Sequence, residues 1–446
     1  MKQLIIASTF YQCLSLAAAL DAGVLPDADE RILVLANSSQ APELSPSLQD
    51  HQGFGAVASR FDRVLDFADL LYPRRPVQFS PRGVELVTWQ RLLRSHWDLG
   101  DAPVQIFMDS VQVNPAVGLA VIFDEAELYV HSDGLMTYSP TRKGLPLHLS
   151  QRLAGLVFVD LVPGLVPRLL AEERIPHLVV PRDPVGQLIT EICAAEDPVP
   201  AQDRRPTALI LGQYLGSLQL LTWQQEIDLH RRMITEAAAR GAKVCVFKPH
   251  PSAPPTAEVE LIAAADLAGV ELIIDPSPEI AEVTMQRHQP GWVISCFSTG
   301  LATARYLLGI EAVAVGSADL LASVKPYENS NRVPLVMTEA LFAGRGFEAP
   351  DETESRDPRL DLQRLVDAVA YCMQPSLLSS SAEPARAYLS LIADEPDLLT
   401  TFFRRRRLTV LDLPGALPPP RLAVRARRWV GRQVRSISGA PSRRAS

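Results

Sequence analysis

Three short segments carry side chains able to do chemistry, and each follows an apolar run of strand-like composition. In Tyr129-Val130-His131-Ser132-Asp133-Gly134 the run delivers a carboxylate and then a glycine. A carboxylate at the carboxyl edge of a sheet can reach a substrate, and glycine lets the backbone turn beside it. An ordinary Asp-Gly turn has the same local signature. In Phe247-Lys248-Pro249-His250-Pro251 two prolines fix the backbone around an imidazole. An imidazole so held can donate a proton or hydrogen bond to a phosphate or leaving oxygen. The plainer alternative is a proline-rich turn whose histidine satisfies backbone groups. In Ile294-Ser295-Cys296-Phe297-Ser298-Thr299-Gly300 a strand runs into a helix through two hydroxyls. The first N–H groups and dipole of such a helix favour an anion, and ordinary N-capping is compatible with that use.

The elements that position these segments alternate. Strand-like runs occur at Leu4–Ala7, Ile32–Leu35, Val104–Phe107 and Leu156–Val159. Helical stretches such as Cys13–Ala22 and Val84–Leu93 lie between them. A second series has strands at Ala208–Leu211, Val244–Phe247, Glu271–Ile274, Trp292–Ser295 and Ala312–Val315. Its helices are expected at Trp223–Arg240, closed by Gly241, and at Thr299–Leu308. Alternation of this kind predicts parallel sheets covered by helices, an α/β fold of two Rossmann-like domains facing a central cleft. Ligands of such folds lie at the carboxyl ends of the strands.

The expected boundaries are an N-terminal domain over 1–193, a polar, proline-containing linker over 194–206 and a C-terminal domain over 207–375. A helical segment over 376–413, with helix at Ala385–Phe403 and a basic run at Arg404–Arg407, comes next. The stretch 414–446 holds eight arginines and no acidic residue. Within it the favoured reading of Leu422–Val434 is a solvated, disordered tail, and a basic amphipathic helix suited to an anionic membrane surface is the alternative.

With 446 residues, 47% hydrophobic and 21% charged, the chain suits a globular protein of more than one core. Its net charge of −8 argues against nucleic acid as a partner. Five scattered cysteines read as reduced thiols, without zinc spacing. Neither a signal segment nor a membrane span is expected, which points to the cytoplasm, with peripheral contact at the inner membrane face through the basic tail.

Taken in order, Ser132-Asp133-Gly134, His250-Pro251 and Ser298-Thr299 resemble the acidic-acidic-glycine, His-Pro and Ser-Ser/Thr motifs of the bacterial alpha-2,8-polysialyltransferase family. Leu211-Gly212-Gln213-Tyr214-Leu215 and Pro278-Glu279-Ile280-Ala281-Glu282-Val283 are also similar to family segments, and the resemblance spans roughly 2–316. It implies a GT-B-type inverting glycosyltransferase that moves sialic acid, or a related nonulosonic acid, from a CMP-sugar to a glycan or lipid-linked glycan, singly or as a polymerase. Asp133 would be the general base, and His250 would assist the departing phosphate. Donor contacts would come from Gly212, Gln213, Lys248, Pro251, Ser298 and Thr299, with Glu282, ahead of Glu279, on the ribose. No metal or other cofactor is implied, and the lone Asp-x-Asp, Asp27-Ala28-Asp29, precedes a strand and reads as a surface loop. Ser132 departs from the pattern, since the family places an acid there.

Three other readings remain at this level. A CDP-glycerol-type glycerophosphotransferase would share the fold and the His-Pro segment, but such enzymes usually read Asp-Tyr-Ser-Ser where this chain reads Cys296-Phe297-Ser298-Thr299. A non-catalytic nucleotide- or glycan-binding homologue would explain Ser132. A nucleotide-sugar epimerase would be expected to show more acid/base pairs.

Overall fold

The computed structural model describes residues 1–37, 47–194, 207–250, 258–352 and 357–418. Two all-parallel sheets form the frame. The first has seven strands in the order β3-β2-β1-β4-β5-β6-β7. They are β1 (Lys2–Ala7), β2 (Glu30–Leu35), β3 (Arg63–Asp66), β4 (Val104–Met108), β5 (Glu127–Ser132), β6 (Leu153–Val159) and β7 (His177–Val180). The second has five, β8 (Thr207–Leu211), β9 (Val244–Lys248), β10 (Glu271–Ile274), β11 (Trp292–Ser295) and β12 (Glu311–Ala314), in the order β10-β9-β8-β11-β12.

Strand period two explains why the first sheet is covered on both faces. Leu4, Ile6, Ile32, Val34, Ile106 and Met108 enter one core, with Phe67, Leu93 and Trp97. Their neighbours Ile5, Ala7, Leu33, Leu35 and Phe107 enter the opposite core, against Phe10, Cys13 and Leu14 of the helix Phe10–Asp21. Register is in step across the centre, where Leu4 pairs with Ile32 on one side and Ile106 on the other.

The expected helix Trp223–Arg240 is observed as Trp223–Ala239, and Gly241 beyond it has φ +94°. Two expectations need correction. Thr299–Leu308 is not one regular helix. An α-turn over Thr299–Ala302 passes into a π-turn over Thr303–Leu307, where Leu308 N–H reaches back to the Thr303 carbonyl. Ala385–Phe403 is two helices, Ala382–Leu391 and Pro396–Phe402, because Pro396 cannot continue a helix and instead opens the next at its first position. The Arg404–Arg407 run is built into the fold in part. Arg407 Nε donates to the Cys372 carbonyl at 2.7 Å, near the end of the helix Leu362–Met373, and a guanidinium nitrogen of Arg404 donates to Leu321 O at 2.7 Å.

The lobes share apolar contacts. Leu135, Tyr138, Leu161, Val162 and Leu165, from the first lobe, join the core of the second, as do the C-terminal helices through Leu362, Tyr388, Phe402 and Leu408. The buried helix Arg332–Phe342 packs against the 3₁₀ turn Leu135–Tyr138, which directly follows Asp133-Gly134. Arg332, 1% exposed, anchors the start of that helix by donating to the carbonyls of Tyr327 at 2.7 Å and Val324 at 3.0 Å. Most of the expected linker, residues 195–206, and the tail from 419 lie outside the described residues. Among the described residues no helix is long and apolar enough to cross a membrane.

Arg332→Met removes the donors to those two buried carbonyls at similar side-chain volume. The expected cost is about 2–4 kcal/mol in urea unfolding. A cost below about 1 kcal/mol would show that the carbonyls find other donors.

Candidate active site

In a doubly wound sheet the chain reverses direction at one point, and the strand ends there leave a crevice. In the first lobe that point lies between β1 and β4. Ser8, just past β1, donates to Asp109, just past β4, at 2.6 Å. Asp133 sits one strand further on, past the end of β5. In the second lobe the reversal lies between β8 and β11, and here Gln213 Nε2 donates to Ser295 Oγ at 3.1 Å while Ser295 Oγ donates to Leu211 O.

Asp133 is partly exposed but surrounded by protein. Burial pushes its carboxyl above the ordinary range, and the nearby Asp109 adds to that. His131 and a side-chain hydrogen bond from Gln12 pull the other way. His131 is fixed as a donor from Nε2, because its partner at 2.7 Å is the Ile6 carbonyl. Ser132, where the family motif has an acid, accepts a hydrogen bond from Thr137 Oγ1 at 2.7 Å. A small cavity beside Asp133 is lined by Ser15, His131, Ser132 and apolar residues of β6 and β7.

The segment after β8 is held from inside its own lobe. Gly212 N–H donates to Lys248 O at 2.8 Å, and a Cβ on Gly212 would lie 3.0 Å from that oxygen. Glycine is therefore needed at 212 for close approach to the Lys248-Pro249 backbone. Gln213 N–H donates to His230 Nε2 at 3.2 Å, which requires a neutral ring protonated on Nδ1. Burial holds His230 down at about 4, so the ring stays neutral. Leu215 and Gly216 N–H groups both donate to the Glu226 carboxylate, at 2.9 and 2.8 Å. Tyr214 stacks on His250 with ring centroids 4.0 Å apart. Burial pushes His250 down to about 4, so the ring is neutral at pH 7 and an anion placed beside it would raise it. Lys248 Nζ is engaged by Asp275 at 2.9 Å and by Ser277.

The two lobes meet at the third segment. Ser298 caps its helix, accepting from Gly300 N–H at 3.1 Å. Thr299 Oγ1 accepts from Leu135 N–H at 3.3 Å, and a Cβ on Gly134 would lie 2.8 Å from that oxygen. Gly300 in turn sits against Leu211. The Asp133, Gly212, His250 and Ser298-Thr299 segments are thus linked by successive contacts along the cleft. Glu279 is paired with Arg287 at 2.5 Å. Glu282 is buried, and burial, with Asp133 contributing, raises its carboxyl from 4.5 to about 7. Lys248 and a polar contact with Thr303 act in the opposite sense. The hydroxyls of Tyr11, Ser15 and Thr303 are buried in the same region, and none makes a hydrogen bond of ordinary geometry.

Pro251 lies outside the described residues. Sequence reasoning missed Asp109, Gln12, Tyr11, Thr303, Glu226 and His230. Asp109 carried a usable signal, an acid directly after an apolar run. Glu226 and His230 stand four apart on the helix Trp223–Ala239, so they share one face, but nothing local shows that this face meets the loop after β8. Among the described residues no three His, Cys, Asp or Glu side chains are grouped as metal ligands.

The raised Glu282 has a signed consequence. Between 4.5 and about 7 the native protein holds the proton that the unfolded chain has released. Stability from this group therefore falls as pH rises through that window. Glu282→Gln is expected to gain about 1–3 kcal/mol over the parent near pH 8 and nothing near pH 4, read by urea unfolding. An equal gain at both pH values would show that ionisation is not the cause.

The sequence profile of the alpha-2,8-polysialyltransferase family matches residues 3–317. No curated protein matches the chain. Among solved structures, the chain is similar to the sialyltransferase from Photobacterium damselae, residues 113–497 corresponding to the GT-B domain. Identity is 11% and the TM-score 0.38, over 76% of this chain and 96% of that one. It is similar to MurG of Acinetobacter baumannii at 13% identity and TM-score 0.39, over 87% and 94% of the two chains. The UDP-GlcNAc 2-epimerase from Methanocaldococcus jannaschii gives 11% and 0.38, over 83% and 100%. With its profile matched across both parallel sheets, this chain belongs to the alpha-2,8-polysialyltransferase family, as a sialyltransferase-like glycosyltransferase.

Proposed function

We propose that the protein transfers a sialic or related nonulosonic acid from CMP to a hydroxyl of a glycan or lipid-linked glycan, in one displacement with inversion. The observation that carries this reading is the meeting of Asp133-Gly134 with Thr299 across the cleft. It sets a candidate base on one lobe against a candidate phosphate site on the other.

The acceptor oxygen bonds to the anomeric carbon as the bond from that carbon to the CMP phosphate oxygen breaks. Asp133 takes the acceptor proton, a role that its raised carboxyl suits by bringing it nearer to neutrality. The departing phosphate gathers negative charge. A hydrogen bond from His250 and the hydroxyls of Ser298 and Thr299 answer that charge. Gly212 and Gln213 shape the floor of the donor site, while Lys248 holds its wall through Asp275 and Ser277. Glu279 is occupied by Arg287, which leaves Glu282 for the ribose hydroxyls. CMP carries a single phosphate, and this set of groups handles it without a metal.

Asp133→Ala is expected to lower kcat by about 10²- to 10⁴-fold with the donor KM little changed. Unchanged turnover would remove Asp133 as the base. Calorimetric titration with CMP and CDP should show a preference for CMP that is lost in His250→Ala. A preference for CDP would instead favour transfer of glycerol phosphate, and binding of neither nucleotide would refute the donor assignment.

A further inference from the structure

We propose that the rim of the first lobe between Tyr72 and Leu92 is a docking surface for an anionic lipid bilayer. In a parallel sheet every strand ends at the same edge. The stretch from the end of β3 to the start of the helix Leu86–His96 therefore begins at the edge that carries Asp109 and Asp133. This stretch exposes apolar side chains that packing leaves uncovered. Tyr72 is 85% exposed, Val84 87% and Val87 60%, and Val77 and Leu92 are also exposed. The helix turns Val87, Thr88, Arg91, Leu92, Ser95 and His96 outward, so two apolar side chains stand on an otherwise polar face, while Leu93 alone is fully buried. A surface helix of a globular protein ordinarily shows polar residues on that face.

The surface is also firmly held. Phe79 packs edge-on against Trp89 of the helix and against Phe67 beneath, with centroids 5.0 and 5.1 Å apart. Gln90 Nε2 donates to Ile122 O at 3.1 Å, tying the helix to the body of the lobe. The apolar side chains are thus presented on a fixed support.

Charge selects the occupant. Residues 72–97 hold five arginines and one glutamate, in a chain whose net charge is −8. The glutamate, Glu85, is already paired with Arg82. Arg74 and Arg91 are exposed beside the apolar positions, whereas Arg94 turns inward to Gly100 O and Ala102 O. Exposed apolar side chains with Arg74 and Arg91 in the same stretch match an anionic leaflet, where the former enter the acyl boundary and the latter hold phosphates. A second protein fits less well, since a stable partner contributes roughly 800 Å² and 20–30 residues a side. Docking here would turn the Asp133 edge toward a lipid-linked acceptor. That consequence rests on the function proposed above, whereas the docking itself does not.

The experiment is co-sedimentation of the full chain with phosphatidylcholine vesicles and with phosphatidylcholine vesicles carrying about 30% phosphatidylglycerol, at about 0.1 M salt. Parent protein is compared with Val84→Asp/Val87→Asp/Leu92→Asp and with Arg74→Glu/Arg91→Glu. The parent should bind the anionic vesicles and release them as salt rises. Each variant should partition about 10-fold more weakly with an unchanged thermal melt. If the triple variant melts early, Val84→Asp alone, at the most exposed position, takes its place. Parent-like binding by the variants would overturn the proposal and move any lipid contact to the basic C-terminal stretch. So would a parent that binds neither vesicle, or a parent dimer that the triple variant dissociates in sedimentation velocity.

Discussion

The fit of Gly134 against Thr299 is the constraint on which the rest of the site depends. A Cβ at 134 would stand 2.8 Å from the threonine oxygen, well inside contact distance. Because the glycine lets the lobes close to this degree, carboxylates from both sides lie in one partly dry space. Burial raises both Asp133 and Glu282 there, Asp133 raises Glu282 further, and Tyr11, Ser15 and Thr303 contribute buried hydroxyls without settled partners. Groups so arranged are costly to keep in a fold, and sites of reaction are where such costs gather.

The loop after β8 shows the opposite economy. Its N–H groups at Gly212, Gln213, Leu215 and Gly216 are all committed to Lys248 O, His230 and Glu226. In many nucleotide folds a loop at this place offers its backbone to phosphate. Here the loop is stiffened from within, and in the function proposed above recognition of the donor phosphate therefore falls to side chains. Both histidines of this lobe's cleft are neutral at pH 7 for the same reason, burial, yet they serve different ends. His230 accepts from the loop, while His250 faces Tyr214 at its mouth.

Much of this was legible in the sequence because strand ends mark where chemistry can sit. Apolar runs at Leu4–Ala7, Val104–Phe107, Val244–Phe247 and Trp292–Ser295 fall on strands to within a residue or two. The strands missed, β3 and β7, are short edge strands with half-covered side chains, and they lack the continuous apolar run of a central parallel strand. The π-turn at Thr303–Leu307 has no sequence signature, since it turns on one displaced hydrogen bond. Tyr11 and Glu282 stand far apart in the chain, and only tertiary packing of one lobe on the other makes them neighbours. The role of Glu226 was hidden for a related reason: a glutamate on an amphipathic helix reads as solvent-facing until the loop it holds is seen.

The seam at Leu135, Tyr138, Leu161, Val162 and Leu165 bears on how the molecule comes apart. These residues emerge from the first sheet but are packed in the core of the second. Stripping either lobe would expose apolar surface of the other, although the first sheet keeps its own two cores. Chains of this length commonly lose their lobes in separate steps. Here the seam couples the two, and heating should melt them in one cooperative transition whose calorimetric and van't Hoff enthalpies agree.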